Sequence, residues 1–356
     1  MRGANVGDSF FSPDLFYVHL GIVTCVGFFF GSFLNVCIYR IPAGLSIALP
    51  GSHCLSCGTP IRWYDNIPLL SYLHLRGKCR YCGSIFSVRY FIVELLTGIL
   101  FGLTFFHFRY TLATPVYIVF VCLLIVATFT DLDHWIIPDG VTIYGTLFAL
   151  AAAFLAGFYP KGFIIAGAWP FYQSAFYSPL ANALTGAAAG ALLIYAIGAA
   201  GSVAFRKEAM GFGDVKLFLL LGAMLGVMNC VYVLTLASCI GSLVGGSMIL
   251  VRKVSEHRAR RRGASGDSGD NASECGKGHE QADAGIYEQG DSTQPQPTLE
   301  DEIFQKIVSA YQTVGAKTKA ALPGVHHIPF GPYIAVAAII VLYLGERIHN
   351  YFFGMW

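Results

Sequence analysis

Long apolar runs set the outline of this chain. From Leu15 to Ile38 no Asp, Glu, Lys or Arg interrupts the sequence, and runs of similar character cover 91–108, 111–130, 141–158 and 180–205. Each is close to the roughly 20 residues that cross a bilayer core of about 30 Å. A longer run, 217–251, carries no formal charge. As a single helix rising about 1.5 Å per residue it would reach about 50 Å, too long for one crossing. The stretch "GVMN" at 226–229 is therefore expected to break it into two. A last run covers 331–345. The pattern predicts an all-α polytopic membrane protein with about eight transmembrane helices, the sixth of them short. The first run exceeds the about 7–15 apolar residues of a secretory signal core, so it is read as a retained helix.

Composition agrees. Of 356 residues 55% are hydrophobic and 12% charged, with a mean hydropathy of +0.59. Soluble domains carry about 25% charged residues. A net charge of +2 gives no footing for nucleic acid. The placement of the charges says more. With alternating helices, the loops after spans 1, 3, 5 and 7 share one side, and their segments 39–90, 206–207 and 252–262 hold fourteen Lys and Arg, against four on the other side. The positive-inside rule puts the richer side in the cytoplasm.

The chain divides accordingly. Residues 1–38 are the N-terminus and first helix, and 39–90 a cytoplasmic cysteine loop. Helices 2–7 occupy 91–251, a polar cytoplasmic insertion 252–327, and the last helix with the C-terminus 328–356. The insertion opens with "RKVSEHRARRR", suited to anionic headgroups. It continues into a Gly-, Ser- and acid-rich stretch with little to bury, expected to be disordered. Apolar positions from Ile303 to Val314 then recur at helical spacing, which predicts an amphipathic surface helix.

Within the cysteine loop, Cys54 and Cys57 are followed after 21 residues by Cys79 and Cys82. Two C-x2-C pairs at this distance match a zinc ribbon, in which four thiolates close a structural zinc site. Gly58 and Gly83 supply the tight turns. Four metal-free thiols or a redox pair are the competing readings, and a cytoplasmic location disfavours disulfides.

Carboxylates at membrane depth are costly and mark candidate function. Asp131, Asp133 and Asp139 are expected in the loop after helix 3, and Asp214 in "GFGDVK" before helix 6. Both places face the cytoplasm at similar depth, so they can form one site. Two adjacent carboxyl groups cannot both ionise easily, and sharing one proton makes an acid–base pair. Gly211 and Gly213 would let backbone pass close to a substrate or bend before Asp214. Lys216 would hold negative charge nearby. The plainer readings are helix caps for Asp139 and Asp214 and solvated loop charges for Asp131 and Asp133. Glu94, alone in helix 2, would serve a polar site or pair with a neighbouring helix.

Several motifs together resemble a known family. They are "GSFLNVCIYRIP" (31–42), the paired CxxC with "NIPLLSYLHLRGKC" between, "RYFIVELLTG" (89–98), "DLDHWIIPD" (131–139), "GFGDVKL" (211–217) and "IPFGPYIA" (328–335). In this order they resemble the bacterial type IV prepilin peptidases, bifunctional leader peptidases and N-methyltransferases of the inner membrane. The resemblance implies cleavage of prepilins and pseudopilins after a glycine at the cytoplasmic face, then methylation of the new N-terminal residue, usually phenylalanine. It implies Asp131 and Asp214 as the catalytic pair, with Asp133 in reserve for the first. Gly211, Gly213 and Lys216 would support them. S-adenosylmethionine would be the methyl donor, with Gly77 and Lys78 as candidate methyltransferase residues, and zinc a structural metal. Rival functions are a peptidase without methyl transfer, an ion-coupled transporter, and a zinc-binding membrane scaffold without chemistry.

Overall fold

The computed structural model describes residues 13–49, 51–158, 179–206, 210–264 and 329–353. Helix dominates, and among the described residues the only β pairing is two isolated bridges in the cysteine loop. α1 runs Pro13–Arg40 and leads into that loop, which holds a 3-10 turn at Trp63–Asn66 and a short α2, Leu70–His74. α3 (Val88–Phe108), α4 (Ala113–His134), α5 (Asp139–Phe158) and α6 (Pro179–Phe205) follow. α7 (Phe212–Leu225), α8 (Val227–Ala264) and α9 (Gly331–Phe353) complete the described chain.

Six of these helices, α1, α3, α4, α5, α6 and α8, are long and apolar enough to cross a membrane. α9 has a shorter apolar stretch, Gly331–Gly345. α7, with 14 residues, is about 21 Å long and falls short of the hydrocarbon core. The helix expected as a short sixth span is thus present, but at 14 residues it is too short to cross by itself. The expected break is present too: Gly226 adopts φ +80° between α7 and α8, a conformation open to glycine but strained for other residues.

Two boundaries differ from the sequence reading. α4 continues through Asp131 and Asp133, which therefore sit in its last turn and not in a loop. The helix persists there because both carboxylates find partners on other elements, the α9 N-terminus and Arg89. It stops at Trp135, in the left-handed region with φ 57°, whose N–H closes on the Asp131 carbonyl at 3.0 Å. α8 likewise runs beyond 251 to Ala264. The polar stretch 265–327, including the expected amphipathic helix at 301–314, lies outside the described residues, as does 159–178.

Lipid tails are as apolar as leucine, so membrane helices associate through close packing. α6 and α7 do so backbone to backbone. A Cβ on Gly222 would run into the backbone of Gly186, and one on Gly190 would stand 2.7 Å from the Phe218 carbonyl oxygen. α3 and α9 are joined by Thr104 and Tyr343 hydroxyls 2.8 Å apart, α8 and α9 by Tyr232 and His349 at 2.9 Å. At one end of the bundle the C-terminus of α4 meets the N-termini of α3, α5, α7 and α9, through contacts described below. The cysteine loop connects α1 to α3 at that same end.

Candidate functional site

Asp131 and Asp214, separated by two helices in the chain, are both buried, at 7% and 9% exposure. They are close enough that the charge of Asp131 acts on Asp214. Asp214 lies in the first turn of α7, with its N–H on the Gly211 carbonyl at 3.2 Å. Asp131 Oδ2 accepts the backbone N–H of Gly331 at 3.0 Å. Gly331 opens α9, so the carboxylate occupies the anion-favouring end of a helix. A Cβ at position 331 would collide with the carboxyl group, 3.0 Å from Asp131 Cγ. Glycine is therefore the residue that lets α9 approach.

The other aspartates are engaged elsewhere. Asp133 is ion-paired to Arg89 at the start of α3. Asp139 begins α5 and takes Lys216 Nζ at 2.5 Å. Lys216 was expected to hold charge near Asp214, and the structure instead spends it tying α7 to α5. It also lies 5.1 Å from the Phe212 ring centre. Gly211 is extended backbone at φ −71°, and a Cβ there would meet nothing within 4 Å. A Cβ on Gly213 would touch Ile137 at 3.4 Å. These two glycines let α7 start beside the 135–138 turn, and neither adopts a backbone conformation that demands glycine. Replacing Asp133 with asparagine should lower cleavage less than about tenfold, the worth of a partly exposed ion pair. A loss as large as that of an Asp131 variant, in a side-by-side processing assay, would move the first carboxylate to Asp133.

The cysteine loop forms two matching turns. Cys54 and Cys79 accept at their carbonyls from Gly58 and Gly83, at 2.8 and 3.0 Å, and donate their N–H groups to Thr59 and Ser84. Gly58 and Gly83 have φ of 72° and 71°, the freedom expected of them. The four sulfurs lie within 4.8 Å of one another, with Cys54 and Cys82 Sγ 3.8 Å apart. That is the edge of a tetrahedron whose centre is about 2.3 Å from each sulfur, the zinc–thiolate distance. Burial pushes the Cys54 thiol up, but hydrogen bonds from Ser84 and from the amides of Cys57 and Ser56 outweigh it and bring it down to about 6. Cys82 is lowered too, the Ser84 hydroxyl first among the causes. The donor set and its spacing fit a metal ion, with the Cys54 and Cys82 thiols lowered and Cys79 raised. Arg80 braces the loop through Asp65, with Nε to Oδ2 at 2.9 Å.

Between α1, this loop and α3 lies a cavity of about 360 Å³. Gly77 and Lys78 line it, together with Asn35, Tyr90 and Glu94, whereas neither Asp131 nor Asp214 does. Gly77 has φ +67°, and a Cβ there would press on the Tyr72 ring at 2.8 Å. Glu94 is not alone in its span: Oε2 accepts the N–H of Leu69 at 2.8 Å.

Three participants escaped the sequence reading. Gly331 was visible only as a Gly-Pro helix start in "IPFGPYIA". Arg89 was counted as a loop charge. Asn35 passed as part of a span, although an asparagine among phenylalanines and valines was a signal.

Comparison with known proteins gives two family matches. Residues 25–108 match the bacterial peptidase A24 N-terminal domain, and 118–246 the type IV leader peptidase family. Among curated relatives, a prepilin leader peptidase/N-methyltransferase of Myxococcus xanthus is 36% identical over 344 residues, 94% of this chain and 92% of the relative. Proteins of the same description from Klebsiella pneumoniae and Neisseria gonorrhoeae are 36% and 33% identical, covering 60% and 65% of this chain and 87% and 82% of their own lengths. No solved structure matches the chain.

Proposed function

We propose a function on one premise: the chain belongs to the type IV leader peptidase family. It is a membrane aspartic endopeptidase that removes the leader of prepilins or pseudopilins after a glycine and then N-methylates the exposed residue. The observation that carries the peptidase reading is the meeting of buried Asp131 and Asp214 at the end of the bundle. In an apolar setting the pair holds one proton between them. The ionised member takes a proton from water as it attacks the scissile carbonyl. The protonated member gives its proton to the departing amine, so the pair emerges with the same total. Gly331 N–H fixes one oxygen of Asp131 and leaves the other for this work. A scaffold without chemistry has no use for two buried carboxyl groups, which cost free energy to keep out of water.

The substrate's apolar helix would lie in the bilayer beside the enzyme, with its polar leader junction at the end where the cysteine loop sits. The excess of Lys and Arg at that end supports its placement at the cytoplasmic face, and the inner membrane follows from the family reading. Methyl transfer is assigned to the cavity between α1, the cysteine loop and α3. Its volume of about 360 Å³ lies within the about 300–1,000 Å³ of small-molecule sites. S-adenosylmethionine brings an activated methyl group, and Gly77 and Lys78 stand on the wall nearest the cysteine cluster to hold it. Reconstituted enzyme acting on a precursor tests both activities: the product should lack the leader and be one methylene heavier than the bare peptide. An unmodified product would reduce the reading to peptidase alone.

Zinc is the structural metal we assign to Cys54, Cys57, Cys79 and Cys82, where four thiolates leave no open position for water. Purified chain should carry about one zinc, and Cys54→Ser should release most of it and expose the loop to protease. Acid should release the metal, because protons compete with it for the four thiolates. Undiminished metal content in the variant would contradict the assignment.

A further inference from the structure

Resting on the methyltransferase reading, we propose that Glu94 and Asn35 form the receptor for the α-ammonium of the cleaved substrate, and that Glu94 takes its proton before methyl transfer. Both side chains line the cavity. Asn35, at 4% exposure, donates Nδ2 to the Tyr90 carbonyl at 3.1 Å, which orients its Oδ1. That oxygen is buried and has no hydrogen-bond partner. A buried acceptor left empty is costly and calls for a donor from a ligand. Glu94 adds a carboxylate, so the two acceptors suit a cationic N–H donor. Tyr39, Tyr72 and Phe86 also line the cavity and offer ring surface to an aromatic first residue.

The site is placed to receive what the aspartates release. Arg89 pairs with Asp133, two residues from Asp131, while the next residue, Tyr90, lines the cavity. The Arg89 guanidinium lies 5.5 Å from the Tyr90 ring centre. One turn of α3 therefore borders both sites.

The step balances as follows. The bound R–NH3+ gives one proton to the Glu94 carboxylate. The freed nitrogen lone pair forms the N–C bond to the methyl carbon of the sulfonium donor. The S–C bond breaks with its electron pair going to sulfur, leaving a neutral thioether and a secondary ammonium product.

Glu94→Gln tests this, because glutamine keeps an oxygen for the Leu69 N–H and loses the proton-accepting charge. With a leaderless peptide as substrate, methylation by the variant at pH 7 should fall about 10²-fold, the low end for a general base. An α-amine titrates near about 7.7–8.0. The deficit should therefore shrink as the pH rises past 8, where the amine is neutral without help. Donor binding, measured directly with labelled S-adenosylmethionine, should be unchanged. On the wild-type enzyme, which needs no variant to fold, phenylalaninamide should compete with the peptide and N-acetylphenylalaninamide should not.

An equal rate in Glu94→Gln, a deficit constant with pH, or equal competition by the two amides would overturn the proposal. Loss of donor binding would also overturn it, by assigning the acceptors to the amino-acid end of the donor. Failure of the wild-type enzyme to methylate at all would instead remove the methyltransferase reading beneath it.

Discussion

Asp131→Ala or Asp214→Ala is expected to abolish leader cleavage while the protein still folds and inserts. General acid–base catalysis contributes about 10²–10⁴-fold. In the proposed mechanism this pair supplies both functions on one shared proton, so either loss should approach the upper figure, about 10⁴-fold. The two variants should be nearly equal, and the double variant no worse than either, because groups that act as one unit are not additive. Folding should survive, since neither carboxyl group holds the bundle together. Asp214 forms no side-chain ion pair among those described, and among the described residues the Asp131 carboxyl group makes one hydrogen bond, to Gly331 N–H. Release of the leader in proteoliposomes, read beside a thermal melt, separates a lost reaction from a lost fold. Cleavage within tenfold of wild type in either variant would return that aspartate to the role of a helix cap.

The second large effect is expected at Gly331→Ala. The added methyl group has no room, because the position a Cβ would take is 3.3 Å from Asp131 Cβ and nearer still to its carboxyl group. Relief requires the α9 N-terminus to withdraw or Asp131 to rotate, and each breaks the 3.0 Å hydrogen bond. A displacement of about 1 Å in a catalytic group costs on the order of 10²-fold. The loss should fall on kcat with KM little changed, because the bond positions a catalytic oxygen and does not hold substrate. Methylation of a leaderless peptide should be preserved, since Gly331 does not border the α1–α3 cavity. A Gly331→Ala enzyme with wild-type kcat would mean that the contact with Asp131 is incidental.

Much of this architecture was legible in the chain because apolar runs at membrane length leave little choice. The α7–α8 break was readable from a run too long for one crossing, and Gly226 carries it out. The cysteine turns were readable from spacing and two glycines. What escaped was decided by partners remote in sequence. The end of α4 extends beyond its apolar run because Asp131 and Asp133 are satisfied by Gly331 and Arg89, 200 positions later and 44 earlier in the chain. No local pattern contains that information. Lys216 shows the same limit: proximity in sequence suggested Asp214, yet its reach across the turn favours Asp139. Glu94 read as a solitary charge because its partner, the Leu69 amide, belongs to the loop folded back over α3.

One chain with two separate sites is the central claim, and one variant given two substrates tests it most directly. Asp214→Asn enzyme would receive a full-length precursor in one reaction and the same peptide without its leader in another. Methyl donor is present in both, and products are read by mass. The expected result is an uncut precursor and a leaderless peptide one methylene heavier. Cleavage of the precursor at the wild-type rate, or failure to methylate the leaderless peptide, would contradict it.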